Sequence, residues 1–155
     1  MFYRRFVKGF TALELLIVLA VFGLLVTLAV LSLNSARART RDAQRLSDVS
    51  VLRNGLSQYY SEKATYPVST DLYLAQPGAK ADKLTSDGFS ASQDAHPPIY
   101  LDRVPMGPTA NEYYHYHGGP NGYSLRFKTE SDTLLGKANV FYAHASGIDS
   151  ADEEK

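Results

Sequence analysis

Four histidines and a scatter of carboxylates are the side chains that could do chemistry in this chain. His115 and His117 stand two apart, so on a strand both would point the same way, a spacing compatible with a metal ion. His96 and His144 could complete such a site, but nothing in their spacing requires it, and no metal is expected. Asp149, Asp152 and Glu153 form no ligand pattern either. Serine, histidine and aspartate are all present, yet there is no GxSxG nucleophile motif and no glycine loop to cradle a phosphate. The absence of cysteine excludes disulfides, thiolate zinc sites and cysteine nucleophiles. Eleven tyrosines could make a binding face, although core and cross-strand packing is their commoner use. No enzyme and no cofactor can be read here.

One more ionisable residue stands out by its surroundings. Phe10 to Leu33 reads FTALELLIVLAVFGLLVTLAVLSL, and its one charge is the carboxylate of Glu14. As a helix this stretch would be about 36 Å long, enough to cross a bilayer with some tilt. A carboxylate in such a segment is costly and usually has a partner. A helix N-terminus favours a nearby carboxylate, which is the simplest account of Glu14. Before the apolar run stands a basic head, MFYRRFVKG, with Arg4, Arg5 and Lys8 and no acid. An ordinary signal peptide has a shorter apolar core and a small-residue cleavage site. Ala36-Arg37-Ala38 imitates such a site, but the arginines at 37, 39 and 41 suit it poorly. A plain membrane anchor fits the length and leaves Glu14 unexplained.

Gly9-Phe10-Thr11-Ala12-Leu13-Glu14, with basic residues before it and the apolar run after it, resembles the processing site of type IV pilins and pseudopilins. The resemblance implies a cut between Gly9 and Phe10 by a prepilin peptidase, and N-methylation of Phe10. It also implies that Glu14 serves subunit assembly, by meeting the new α-amine of a neighbouring subunit in a water-poor filament core. The implied partners are copies of this chain and other pilins, the peptidase, a membrane assembly platform with its ATPase, and lipid before assembly. The sequence departs from many pilins in having no proline before Pro67, which leaves Gly23 as the point where the apolar helix could bend. Arg37, Arg39, Arg41 and Arg45 outnumber the basic residues of the head. The positive-inside rule therefore does not place the head in the cytoplasm, and only the resemblance does.

The elements that must carry these residues follow from the pattern. Residues 34 to 63 stay helical, and Leu46, Val49, Leu52, Leu56 and Tyr59 or Tyr60 recur at three- and four-residue steps as an amphipathic stripe. Arg45, Asp48, Arg53, Asn54 and Gln58 are expected on the opposite face. One helix is expected from about Thr11 to Lys63, ended by Tyr66-Pro67. The arginines of SLNSARARTRDAQR could meet lipid headgroups or acidic patches of neighbours, or simply form a solvated face. Val68 to Pro98 is rich in Ser, Ala, Asp, Gly and Pro and reads as a long connection with one short helix. Strands are expected over Glu112 to Tyr116, Tyr123 to Thr129 and Asn139 to Ala143, with a turn at Gly118 to Gly122. Asp149 to Lys155 reads as an acidic, frayed end.

The fold class expected is α+β, a long N-terminal helix on a small antiparallel sheet of three or four strands. The segments are a leader (1–9), a transmembrane or filament-core helix (10–33), an amphipathic helix (34–66) and a globular head (67–155). Acidic and basic residues balance at 16 each, and the chain without its head is mildly acidic, which gives no case for nucleic-acid binding. The resemblance implies a structural filament subunit in the cytoplasmic membrane, its globular part outside the cytoplasm, later at the cell surface or in the periplasm. The alternative is a membrane-anchored surface binding module that never polymerises.

Overall fold

A computed structural model describes residues 9–153. Arg4, Arg5 and Lys8 of the basic leader lie outside the described residues, as do Glu154 and Lys155. The chain divides into two compact units, Met1–Arg37 and Ala38–Lys155. Helix α1 runs Ala12–Lys63, so its first part belongs to one unit and its second to the other. In the first unit every residue from Gly9 to Arg37 is exposed, and nothing in the chain covers the apolar run. Its apolar window has a mean hydropathy of 2.9, long and apolar enough to cross a membrane.

The second unit has its own core. Strand β1 is Ser69–Tyr73, β2 Lys83–Thr85, β3 Gly88–Ser90, β4 Ile99–Leu101, β5 His115–Gly118, β6 Tyr123–Lys128, β7 Val140–Ala143 and β8 Ile148–Asp149. Five form an antiparallel sheet in the order β1-β5-β6-β7-β8, and three form a second sheet in the order β3-β2-β4. The α+β layout is the one expected, a helix packed on an antiparallel sheet. Strand alternation sets the faces: Tyr123, Leu125 and Phe127 point inward from β6, while Arg126 and Lys128 are exposed. Val49, Leu52, Leu56 and Tyr59 of α1 join them in one buried cluster with Leu84, Tyr116 and Phe141. Each fully buried leucine contributes about 1.5–3 kcal/mol by leaving water.

Three expectations need correction. The stretch from Val68 to Pro98 is not a loose connection: it holds β1, β2 and β3, with a single-turn 3-10 helix at Ser92–Asp94. The three-residue strands β2 and β3 are too short to show a period in sequence, and in β1 an irregularity between Ser69 and Leu72 breaks the alternation. The first strand of the C-terminal hairpin is His115–Gly118, later than expected, because Thr109 to Glu112 close a turn in which the Gly107 amide donates to the Glu112 carbonyl. The sheets also hold more strands than the three or four anticipated. The helix does end by Lys63, with Ala64 in the left-handed region at φ 54° and its amide donating to the Tyr60 carbonyl at 2.8 Å.

Gly55 lets the second sheet approach the helix. A Cβ there would lie 2.6 Å from Leu101 Cδ1 and closer still to its Cγ. Alanine would gain about 1 kcal/mol of helix propensity, yet overpacking typically costs about 1–3 kcal/mol. Gly55→Ala is therefore expected to lower the thermal melting temperature of the globular unit. Adding Leu101→Ala should recover part of that loss, and additive losses in the double variant would show that the two positions do not compete for space.

Candidate functional site

The first turn of α1 is capped by its own residues. Thr11 precedes the helix, and its amide and hydroxyl donate to Glu14 Oε2 at 2.8 and 2.9 Å. The Glu14 amide in turn donates to Thr11 Oγ1 at 3.2 Å. This reciprocal arrangement is a capping box, worth about 1 kcal/mol to a helix start. In the single chain Glu14 thus has a local partner in Thr11. Gly9 and Phe10 lie ahead of the helix, and Phe10 is 85% exposed. Deeper in the apolar run the Thr27 hydroxyl donates to the Leu24 carbonyl at 2.7 Å, which satisfies it without a partner helix.

In the second unit charge is concentrated at a buried cluster. Arg45, expected on the solvated face, is fully buried. Its Nε and Nη2 donate to Glu112 at 2.6 and 2.9 Å, Nη2 also to Glu130 at 2.6 Å, and Nη1 to Asp42 at 2.7 Å. Arg41 pairs with the other side of Glu130. Asp42, 1% exposed, accepts the Glu130 and Ser131 amides at 2.9 and 2.8 Å and the Ser131 hydroxyl. The planar guanidinium fork makes this possible, since a buried charge persists only when paired and fully hydrogen-bonded. Hydrogen bonding by Glu112 raises the Arg45 pKa further, so the group is a permanent cation. Arg41 and Arg45 hold the Glu130 carboxyl down to about 2. Burial pushes Asp42 up, but its donors from Ser131, Glu130 and Arg45 outweigh that and leave it low.

The histidines do not converge. His115 bonds Asp71 and packs on the Tyr73 ring, with centroids 4.8 Å apart. His117 points to the same side of β5 as His115, as the two-residue spacing required. His96 sits 3.8 Å from Asp87. His144 is fully buried, with Nδ1 3.0 Å from the Tyr123 carbonyl and Nε2 within 3.2 Å of Asp149 Oδ1 and the Ala151 carbonyl. Among the described residues no three metal-ligating side chains gather at one point. Those bonds, with Ser124 Oγ donating to Asp152 at 2.8 Å, tie down a C-terminal end that reads as frayed. The tyrosines mostly pack: Tyr60, Tyr66, Tyr123 and Tyr116 stand in ring-to-ring contact at 4.6, 4.9 and 6.1 Å.

The charge cluster predicts an acid-labile globular unit. A carboxyl lowered from 4.5 to about 2 contributes stability that is complete above pH 4.5 and fades as pH falls toward 2. Melting curves followed by circular dichroism should drop through that window, and Glu130→Gln should flatten the drop. Arg45→Gln leaves Asp42 buried without its cation and should cost about 3–5 kcal/mol at neutral pH. Arg45→Lys should recover little of it, because a point charge cannot meet three carboxylates at once.

Comparison with known proteins places these features in context. No protein-family model matches the chain, and no solved structure does. The type II secretion system core protein G of Escherichia coli K12 is 26% identical over 125 residues, covering 74% of this chain and 75% of the relative. The same-named protein of Dickeya chrysanthemi is 29% identical over 141 residues, covering 86% of this chain and 87% of the relative. Fimbrial protein EcpC of Eikenella corrodens is 33% identical over 60 residues, 39% of each chain. With an exposed membrane-length helix at its start, an α+β globular unit and relatives alike over most of its length, the chain is similar to the type II secretion pseudopilins and has the α+β layout of a pilin-like protein.

Proposed function

We propose that this protein is the structural subunit of a type IV pilus or type II secretion-like filament, cut between Gly9 and Phe10 by a prepilin peptidase and N-methylated on Phe10. It enters the cytoplasmic membrane through its apolar helix, with the globular unit outside the cytoplasm. A membrane platform and its ATPase then pass it into a filament of its own copies and other pilins, at the cell surface or in the periplasm. The observation that carries this reading is the uncovered apolar segment of α1, exposed on every side from Phe10 to Leu33, which must be met by lipid or by other helices. The pseudopilin names of the relatives support the same role.

Two local features support the assigned residues. A Cβ at Gly9 would touch nothing within 4 Å, so the fold does not demand glycine there and the demand would come from the peptidase. Glu14 spends its hydrogen bonds on Thr11 through Oε2, and among the described residues Oε1 has no donor. That oxygen is available to the α-amine which a cut at Gly9 would create on a neighbouring subunit.

Intact-mass measurement with N-terminal sequencing, on protein from cells with the assembly machinery, should give a start at Phe10 with one extra methyl. A start at Met1 would sink the processing route and favour an anchored module. A bulky residue at Gly9 should block the cut while the globular unit still melts normally. Glu14→Gln keeps an acceptor for the capping box but removes the charge, so it should be processed and inserted yet form few filaments. Thr11→Ala removes the box's hydroxyl and keeps the charge, so filaments should persist. Normal filaments from Glu14→Gln would overturn the role of the charge.

A further inference from the structure

Arg53 is the exception among the arginines that α1 turns toward the sheet. Arg41 and Arg45 are both committed to carboxylates. Arg53 is half-buried; it meets the Tyr123 side chain, and its Nη2 donates to the Ala145 carbonyl at 3.4 Å, a long contact, so most of its five N–H groups are left over. Among the described residues no carboxylate lies within 4 Å of its guanidinium. A cation partly removed from water without a counter-ion is an unusual expense in a fold that pairs its other buried arginine three times.

The surroundings explain what the position suits. Arg53 lines a pocket of about 300 Å³ with Ser50, Asn54 and Ser57 from the same helix face and Tyr66 and Tyr123 from beyond it. Ser50, Arg53, Asn54 and Ser57 recur at three- and four-residue steps, so they share one side of α1. Tyr66 and Tyr123 are 8% and 2% exposed, their rings meeting edge to face at 4.9 Å. The Arg53 guanidinium lies against the Tyr123 hydroxyl, while the Tyr66 hydroxyl has no hydrogen-bond partner among the described residues. Burial raises both phenol pKa values, so at neutral pH each is an O–H donor. The pocket lining contains no acidic side chain.

We infer that this pocket is a binding site for an oxyanion, a carboxylate or phosphate group, held by the Arg53 guanidinium and the Tyr66 and Tyr123 hydroxyls. A guanidinium fork matches either anion through two parallel N–H bonds, and neutral hydroxyl and amide donors complete the shell. The site uses none of the residues assigned to processing or assembly, so it stands whether or not the chain polymerises.

The test uses the full chain in detergent micelles, isotope-labelled at its tyrosine rings, with the Tyr66 and Tyr123 signals assigned through Tyr66→Phe and Tyr123→Phe. Sodium acetate, sodium phosphate and sodium chloride are titrated at matched ionic strength, with a neutral disaccharide in parallel. The two signals should move saturably with acetate or phosphate and stay still with chloride and the disaccharide. Whichever anion saturates first names the source chemistry, a carboxylate or a phosphate. Arg53→Gln should weaken the response at least about tenfold, while the other tyrosine signals keep their positions and so report an intact fold. Equal shifts with chloride, a response only to the disaccharide, an unchanged response in Arg53→Gln, or no response at all would each overturn the proposal.

Discussion

A guanidinium with no access to water sits where the helix meets the loops of the sheet, and much of the globular unit is arranged to tolerate it. Arg45 draws its carboxylates from three places: Asp42 one turn earlier on the helix, Glu112 ahead of β5 and Glu130 after β6. Removing an ion from water costs several kcal/mol before any partner is counted. The cluster therefore contributes less to net stability than to uniqueness of arrangement. A sheet shifted by one residue, or a helix rotated by one position, would leave the cation alone or strand two anions. Asp42 extends the constraint, since it holds Arg45 while accepting two backbone amides at the start of the loop after β6.

The two units are governed by different solvents. In Ala38–Lys155 apolar side chains cover one another, and the helix contributes a stripe that the sheet buries. Ahead of that, the helix exposes Leu, Val, Ile and Phe on all sides, and the hydroxyls of Thr11 and Thr27 are satisfied within the helix's own turns. That is the condition a lipid environment imposes on any backbone that enters it. Internal satisfaction also leaves such a segment free to exchange one apolar surrounding for another.

The helix and its buried stripe were legible because a 3.6-residue period sums over many turns. Strand β6 was legible from alternation over six residues, and Val140–Ala143 nearly so. Arg45 was misread by type when its phase was informative. Asp42, Arg45, Val49, Leu52, Leu56 and Tyr59 follow one another at steps of three and four, so both charged residues lie on the buried stripe. What the sequence could not supply were the partners, Glu112 and Glu130, 67 and 85 residues away from Arg45. Strands β2, β3 and β4 were missed because three residues carry no period. The Arg53 pocket was hidden for a related reason, because its two tyrosines come from separate segments that the fold brings beside the helix. Glu14 was singled out by its misfit in an apolar run, while its bond to Thr11 required the geometry of the turn.

The capping of α1 has a consequence for any cut made ahead of it. All three of its hydrogen bonds use atoms of Thr11 and Glu14. The amide that donates from Thr11 is formed with Phe10 and lies downstream of the Gly9–Phe10 bond. The helix start is thus insulated from whatever happens upstream. Hydrolysis of that bond, or alkylation of the nitrogen it releases, leaves each donor and acceptor of the box in place. Were the chain trimmed there as proposed, the same first turn would serve both forms with no new nucleation step.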